Sequence, residues 1–170
     1  MFNALVVKNS KSNVSYKVET VDESHLSEGD VLVKVEYSSI NYKDMLGLQY
    51  KGGVIRDYPM IPGIDFSGIV ESSSNEKFKE GDNVLVTGYD VGMTHTGGFS
   101  EYARVPGEWI IPLPQEMSIK ESMVYGTAGF TAALSIFELE KQGMNIEAQP
   151  EILVSGATGG VGSVAIQILR

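Results

Sequence analysis

The chain has 170 residues, 13 of them basic against 22 acidic, and a formal net charge of −9, a balance that argues against nucleic acid or an anionic membrane surface as a partner. It has no cysteine, which excludes disulfides and thiolate metal sites and leaves the redox compartment unreported. No apolar run approaches the ~20 residues of a membrane span, and the start, Met1-Phe2-Asn3-Ala4-Leu5-Val6-Val7-Lys8, lacks the charged and long apolar regions of a signal peptide, so a soluble cytoplasmic protein is expected.

Residues 2–8 and 14–20 alternate apolar and polar side chains around Asn9-Ser10-Lys11-Ser12-Asn13, the pattern of a hairpin. Glu28-Gly29-Asp30 turns the chain into the clearest strand, 31–37. Asn41-Tyr42-Lys43-Asp44-Met45-Leu46-Gly47-Leu48 predicts a short helix with Asn41 as its cap. Pro59 and Pro62 hold an irregular segment before a strand at 65–71. Gly81-Asp82 leads into a strand at 83–87, and strands at 99–105 and 109–113 complete the series. Many short strands separated by turn residues predict a small barrel.

The pattern becomes helical over 118–142, with apolar residues at 3–4 spacing from Phe130 to Leu139 and Gly143 as a stop. A polar loop at 145–150 precedes the apolar run Ile152-Leu153-Val154, which reads as a buried strand of a parallel sheet. Ser155-Gly156-Ala157-Thr158-Gly159-Gly160-Val161-Gly162-Ser163 follows, and Val164 to Leu169 begins a helix. Strand, glycine turn and helix open a dinucleotide-binding βαβ unit, here in the form A-x-G-x-x-G. Ala157 and Gly159 are expected to turn tightly and admit a pyrophosphate to the backbone. Gly162 is expected to let the helix pack close to the strand, and the helix N-terminus offers unpaired N–H groups to the anion. A phosphate-binding P-loop needs a lysine, and none occurs in 152–170. A short-chain dehydrogenase carries its glycine motif at the start of the chain and a tyrosine followed four residues later by lysine; this sequence has neither. The last helix reaches Arg170 after roughly two turns without a cap, and a dinucleotide fold needs further strands, so the chain reads as the N-terminal part of a longer protein.

Five blocks carry a resemblance: Ser38-Ser39-Ile40-Asn41-Tyr42-Lys43-Asp44, Pro59-Met60-Ile61-Pro62-Gly63-Ile64-Asp65-Phe66-Ser67-Gly68, Gly97-Gly98-Phe99-Ser100-Glu101-Tyr102, Gly126-Thr127-Ala128-Gly129-Phe130-Thr131-Ala132 and Gly156-Ala157-Thr158-Gly159-Gly160-Val161-Gly162. In this order they resemble the zinc-free medium-chain dehydrogenase/reductases of the quinone oxidoreductase or acrylyl-CoA reductase type. The resemblance implies a mixed α/β fold. A GroES-like β-barrel catalytic domain would span 1–117. Residues 118–170 would hold the linking helices and the first β-α of a Rossmann domain, a doubly wound parallel sheet that is truncated here.

Zinc relatives bind catalytic metal through a cysteine, the histidine of a Gly-His-Glu motif and a further cysteine or acidic residue. Here there is no cysteine, the corresponding triplet is Gly63-Ile64-Asp65, and the two histidines, His25 and His95, lack ligand spacing. No metal is therefore expected. Without a Lewis acid, reduction of an alkene conjugated to a carbonyl, or of a quinone, asks less of the protein than alcohol oxidation. The resemblance implies NADPH as hydride donor, with NADP against NAD undecided because the ribose-reading residue would lie past the chain, and an enone, enoyl thioester or quinone as acceptor. A homodimer is compatible with it.

The resemblance also nominates residues. Tyr42 would face the cofactor, against a plain reading as a core aromatic. Asn41 either donates to a substrate carbonyl or caps its helix, and Asp65 either orients the site or is a strand-end carboxylate. Tyr50 is a further proton-donor candidate. Thr127 would lie near the nicotinamide or cap a helix, while Thr158, Gly159, Gly160 and Val161 would line the pyrophosphate. His95 could line a substrate cleft, and Lys43, Lys51 and Arg56 could meet an anionic thioester; exposed loop positions are the plain alternative for all four. The competing functional class is a barrel-containing binding or structural fragment without turnover.

Overall fold

Alternating apolar residues make β1 (Phe2–Ser10) and β2 (Asn13–Val21) an antiparallel hairpin, with Phe2 opposite Val21 and Ser10 opposite Asn13. It is seen in a computed structural model that describes residues 1–10, 13–145, 147 and 151–170. The middle of the expected hairpin loop, Lys11-Ser12, lies outside the described residues. One face of the hairpin turns Phe2, Ala4, Val6 and Val21 onto Leu26 and Ile61.

The second sheet contains β3 (Val31–Tyr37), β4 (Asp65–Ser73), β5 (Asn83–Thr87), β6 (Tyr102–Val105) and β7 (Ile110–Pro112), in the order β6-β3-β4-β5-β7 with every pair antiparallel. Its period-2 alternation sends Val31 and Val33, Val84 and Val86, and Ala103 and Val105 into one core with Phe66 and Val70. Each large aliphatic buried in this way contributes about 1.5–3 kcal/mol. Two strands are shorter than the sequence predicts. In 99–101 the main chain bonds across to β1 instead, Leu5 N–H to Phe99 O at 2.8 Å and Glu101 N–H to Asn3 O at 3.0 Å. Trp109 belongs to a 3-10 turn, Gly107–Trp109, ahead of β7. Met60 completes the link by exchanging both main-chain bonds with Val7, at 2.8 and 2.9 Å, so hairpin and sheet form one barrel. Tyr89 stacks on Trp109 at a centroid distance of 5.1 Å.

Between β3 and β4 a six-residue helix, α1 (Tyr42–Gly47), starts after Asn41. The long helix α2 (Ile119–Lys141) opens on a Ser118–Glu121 capping pair, Ser118 Oγ donating to the Glu121 carboxylate at 2.6 Å. It ends where Gly143, at φ 99°, closes a Schellman motif through Gly143 N–H to Glu140 O and Met144 N–H to Leu139 O. Inside it Gly126 leaves helical geometry (φ 51°, ψ −155°). The chain divides there into two compact units, Met1–Val124 and Tyr125–Arg170, later than the boundary expected at 117/118 because the first segment of α2 groups with the barrel.

In the second unit α3 (Gly160–Ile168) forms and begins four residues earlier than Val164. The strand expected at 152–154 does not: these residues are in no ladder and Leu153 is 94 % exposed. A strand needs a neighbour to take its N–H and C=O groups, and among the described residues of this unit no other strand exists. Of the polar loop at 145–150, residues 146 and 148–150 lie outside the described residues. Among the described residues no helix is long and apolar enough to cross a membrane.

Candidate active site

The Asn41 cap is held from two sides by buried carboxylates. Asn41 N–H donates to Asp44 Oδ2 at 2.8 Å, which is the carboxylate half of a capping box. The other Asp44 oxygen accepts Ile64 N–H at 3.0 Å. On the side-chain face, Asn41 Nδ2 donates to Asp65 Oδ2 at 3.1 Å and to Ser39 Oγ at 3.0 Å. Ser39 Oγ lies 2.7 Å from both Asp65 oxygens, and Ser39 N–H donates to Asp65 Oδ1 at 3.2 Å. Asp65 is wholly buried and Asp44 nearly so. Burial pushes the Asp44 carboxyl above the usual range; hydrogen bonds from Asn41 and Ile64 oppose this, and the neighbouring Asp65 charge adds to it.

Three nominated residues, Asn41, Tyr42 and Asp65, are therefore brought together at the start of α1. Tyr42 opens the helix and is 72 % exposed, so it is not a core aromatic. Tyr50 is about half exposed, with the Lys51 ammonium 5.4 Å from its ring centre. Lys43, Lys51 and Arg56 are exposed. His95 is spent inside the barrel unit: its ring nitrogens lie 2.9 Å from Glu28 O and 3.1 Å from Thr96 O, and its ring meets Trp109 edge-on at 4.9 Å. Ser39 is the site residue that sequence reasoning missed. It stands inside the first resemblance block, but its partner Asp65 is 26 residues away, so no local pattern announces it.

The second unit supplies the glycine turn. The positive φ falls on Gly156 (63°), one residue before the expected Ala157. Gly159 N–H bonds back to Gly156 O at 2.9 Å, and Gly159 is the N-cap of α3 with no side-chain cap bond. A Cβ on Gly162 would lie 2.3 Å from Gly156 O, so this glycine packs against the turn itself rather than against a strand. A Cβ on Gly160 would come within 3.2 Å of Ala128 Cβ, which sets the residue after Thr127 beside the helix start. Thr158, Gly159, Gly160 and Val161 are exposed. As the first N–H groups of α3, those of Gly160, Val161 and Gly162 have no intrahelical carbonyl to bind. This bare, side-chain-poor amide cradle fits a dinucleotide's diphosphate. Metal chemistry finds no comparable seat: among the described residues no group of three or more His, Cys, Asp or Glu could hold an ion, and buried Ile64 stands in the histidine position of the zinc motif.

Residues 27–115 match the alcohol dehydrogenase GroES-like domain family. The chain belongs to the medium-chain dehydrogenase/reductases. Acrylyl-CoA reductase AcuI of Ruegeria pomeroyi is 47% identical over 171 residues, which is 99% of this chain and 52% of that protein. The crystal structure of Bacillus subtilis YhfP with NAD bound superposes with a TM-score of 0.95 at 50% identity, over 99% of this chain and 51% of that one. Escherichia coli K-12 YhdH with bound NADPH gives 0.93 at 48% identity, over 98% and 51%. The chain thus spans about half the length of the curated relatives it matches. This GroES-like barrel and the start of a Rossmann part form the mixed α/β fold expected from the sequence.

Proposed function

We propose that the chain is the barrel and cofactor-cradle portion of an NADPH-dependent, zinc-independent oxidoreductase that reduces an activated alkene, of the acryloyl-thioester kind, or a quinone by hydride transfer. The observation that carries this reading is the start of α3 behind the Gly156 turn, which has no side-chain cap bond and presents main-chain amides of exposed, side-chain-poor residues. Likeness to YhfP and YhdH, whose structures hold NAD and NADPH, supports a nicotinamide dinucleotide as its occupant. The same reading has the protein cytoplasmic and acting on a small molecule, and it is compatible with a homodimer.

Gly159, Gly160 and Val161 would hold the diphosphate through main-chain N–H groups, with Thr158 adding a hydroxyl, and Thr127 would stand toward the nicotinamide. When bound, the reduced nicotinamide supplies a hydride to the β-carbon of the acceptor. Negative charge then develops on the acceptor's carbonyl oxygen, and a hydrogen-bond donor there lowers the barrier. Tyr42, exposed and carrying a phenolic O–H, is the group assigned to that oxygen or to the proton that follows. The Asn41 amide nitrogen is committed to Ser39 and Asp65. Asn41 and Asp65 therefore enter as the residues that hold the Tyr42 end of α1.

Titration of the chain with NADPH, followed by cofactor fluorescence and thermal shift, tests the reading: a saturable response is expected and a flat one overturns it. A second reading draws on the unpaired 152–154 segment, which suits a binding or structural module without turnover. The 170-residue chain by itself is expected to turn over little or nothing, so the separating measurement is made on the complete protein. Saturable NADPH binding there with no consumption of NADPH in the presence of acryloyl thioester or quinone would favour that module.

A further inference from the structure

Ser39 touches both Asn41 and Asp65: its hydroxyl lies 2.7 Å from each Asp65 oxygen and 3.0 Å from Asn41 Nδ2, alongside the direct 3.1 Å bond between those two residues. Ser39 Oγ has a single hydrogen, and it is given to Asp65, whose two oxygens both lie 2.7 Å away. It can then receive Asn41 Nδ2 only through a lone pair. The three groups form a closed ring in which the nitrogen end of the Asn41 amide points inward, donating to Ser39 Oγ and Asp65 Oδ2. Asp65 is fully buried, and a buried carboxylate is costly unless several donors surround it. Ser39 supplies two of them, its O–H and its N–H.

We propose that Ser39 is a positioning residue whose hydroxyl locks the Asn41 side chain to Asp65 and thereby fixes the first turn of α1 and Tyr42. The inference rests on the reading of Tyr42 as the group that meets the acceptor. A helix of six residues cannot hold itself, so its orientation is inherited from its ends. Asn41 O is the anchor at this end, accepting Asp44 N–H at 3.0 Å and Met45 N–H at 3.3 Å. The Asp44 carboxylate holds the main chain of Asn41 and of Ile64. Ser39 and Asp65 hold its side chain, so the cap is gripped on two faces by adjacent residues of one segment, Ile64 and Asp65. Loss of the Ser39 hydroxyl leaves the side-chain face on the single Asn41 Nδ2–Asp65 bond and the main-chain face intact, which loosens α1 without unfolding the barrel.

Site-resolved amide exchange on the 170-residue chain tests this with Ser39→Ala and Ser39→Thr. In Ser39→Ala the Asp44 and Met45 amides should exchange about tenfold faster or more, and the Tyr42 ring resonances should move. The Val84 and Val86 amides of β5 should keep wild-type rates. Ser39→Thr, which retains a hydroxyl, should restore both signatures. Unchanged exchange at Asp44 and Met45 in Ser39→Ala would overturn the proposal. So would equal acceleration in β5, or Ser39→Thr behaving like the alanine variant. A flat NADPH titration of the wild-type chain would count against the reductase reading alone, because the exchange experiment contains no cofactor.

Discussion

Ile64 N–H donates to Asp44 Oδ1 across 3.0 Å, which ties the first turn of α1 to the residue beside Asp65. That carboxylate is nearly buried and its proton affinity is raised by the burial. The folded protein therefore keeps the Asp44 proton to higher pH than the unfolded chain, in which the group titrates at about 4. From there upward the native state binds more protons, so stability falls as pH rises until the folded group has ionised. Asp44→Asn should abolish that slope. It should also cost about 1–3 kcal/mol even at the acid end, because one amide end cannot accept a backbone N–H. Urea midpoints measured from pH about 4 to about 7 check both, and a variant with the wild-type slope would remove Asp44 as its source.

Tyr42→Phe deletes one exposed oxygen and leaves α1 and its cap in place. Stability should stay within about 0.5 kcal/mol of wild type. NADPH-dependent reduction of an activated alkene by the complete reductase should fall about 10²-fold, the scale of a lost proton donor. Undiminished turnover would hand the proton to another group, with Tyr50 next to be tried.

Gly162→Ala would set a methyl 2.3 Å from Gly156 O, a main-chain atom that cannot move without opening the turn. Affinity for NADPH should drop about tenfold or more, a loss on the order of 1.4 kcal/mol, as the amide cradle is displaced. The urea transition of the barrel unit should stay where it is, because the change is confined to Tyr125–Arg170. Equal affinities for variant and wild type would separate the glycine turn from cofactor binding.

Gly97→Ala places its methyl 2.2 Å from Gly63 O and 2.7 Å from Pro62 O. Two main-chain segments that meet without side chains leave no room for it, and a cost of about 1–3 kcal/mol is expected. Urea denaturation of the barrel unit measures it, and an unchanged midpoint would show that the 62–63 and 97–98 segments separate freely.

The strands with clean alternation, 31–37 and 83–87, were legible because half-buried strands must alternate. The glycine turn before α3 was legible because glycine serves where the backbone bends tightly, although its positive φ falls on Gly156 and not on Ala157. Segment 99–105 misled because apolar content reports burial without naming a partner: its first residues pair with β1, a choice made far away in the chain. Ile152-Leu153-Val154 misled for the opposite reason, since its composition describes a sheet interior and no neighbouring strand is present among the described residues. In the candidate site, Asn41 and Asp65 were nominated through the motif they occupy, and the fold brings the two into contact. Their joint contact with Ser39 was not legible, because a hydrogen bond across 26 residues leaves no periodicity to read.

Trp109 is the chain's only tryptophan, and it sits between the face of Tyr89 and the edge of His95. Its indole emission is consequently an optical reporter of the barrel alone. Far-ultraviolet dichroism, by contrast, draws on α2 and α3 as well. The two signals followed through one denaturation series would read the melting of Met1–Val124 and Tyr125–Arg170 separately, without any label.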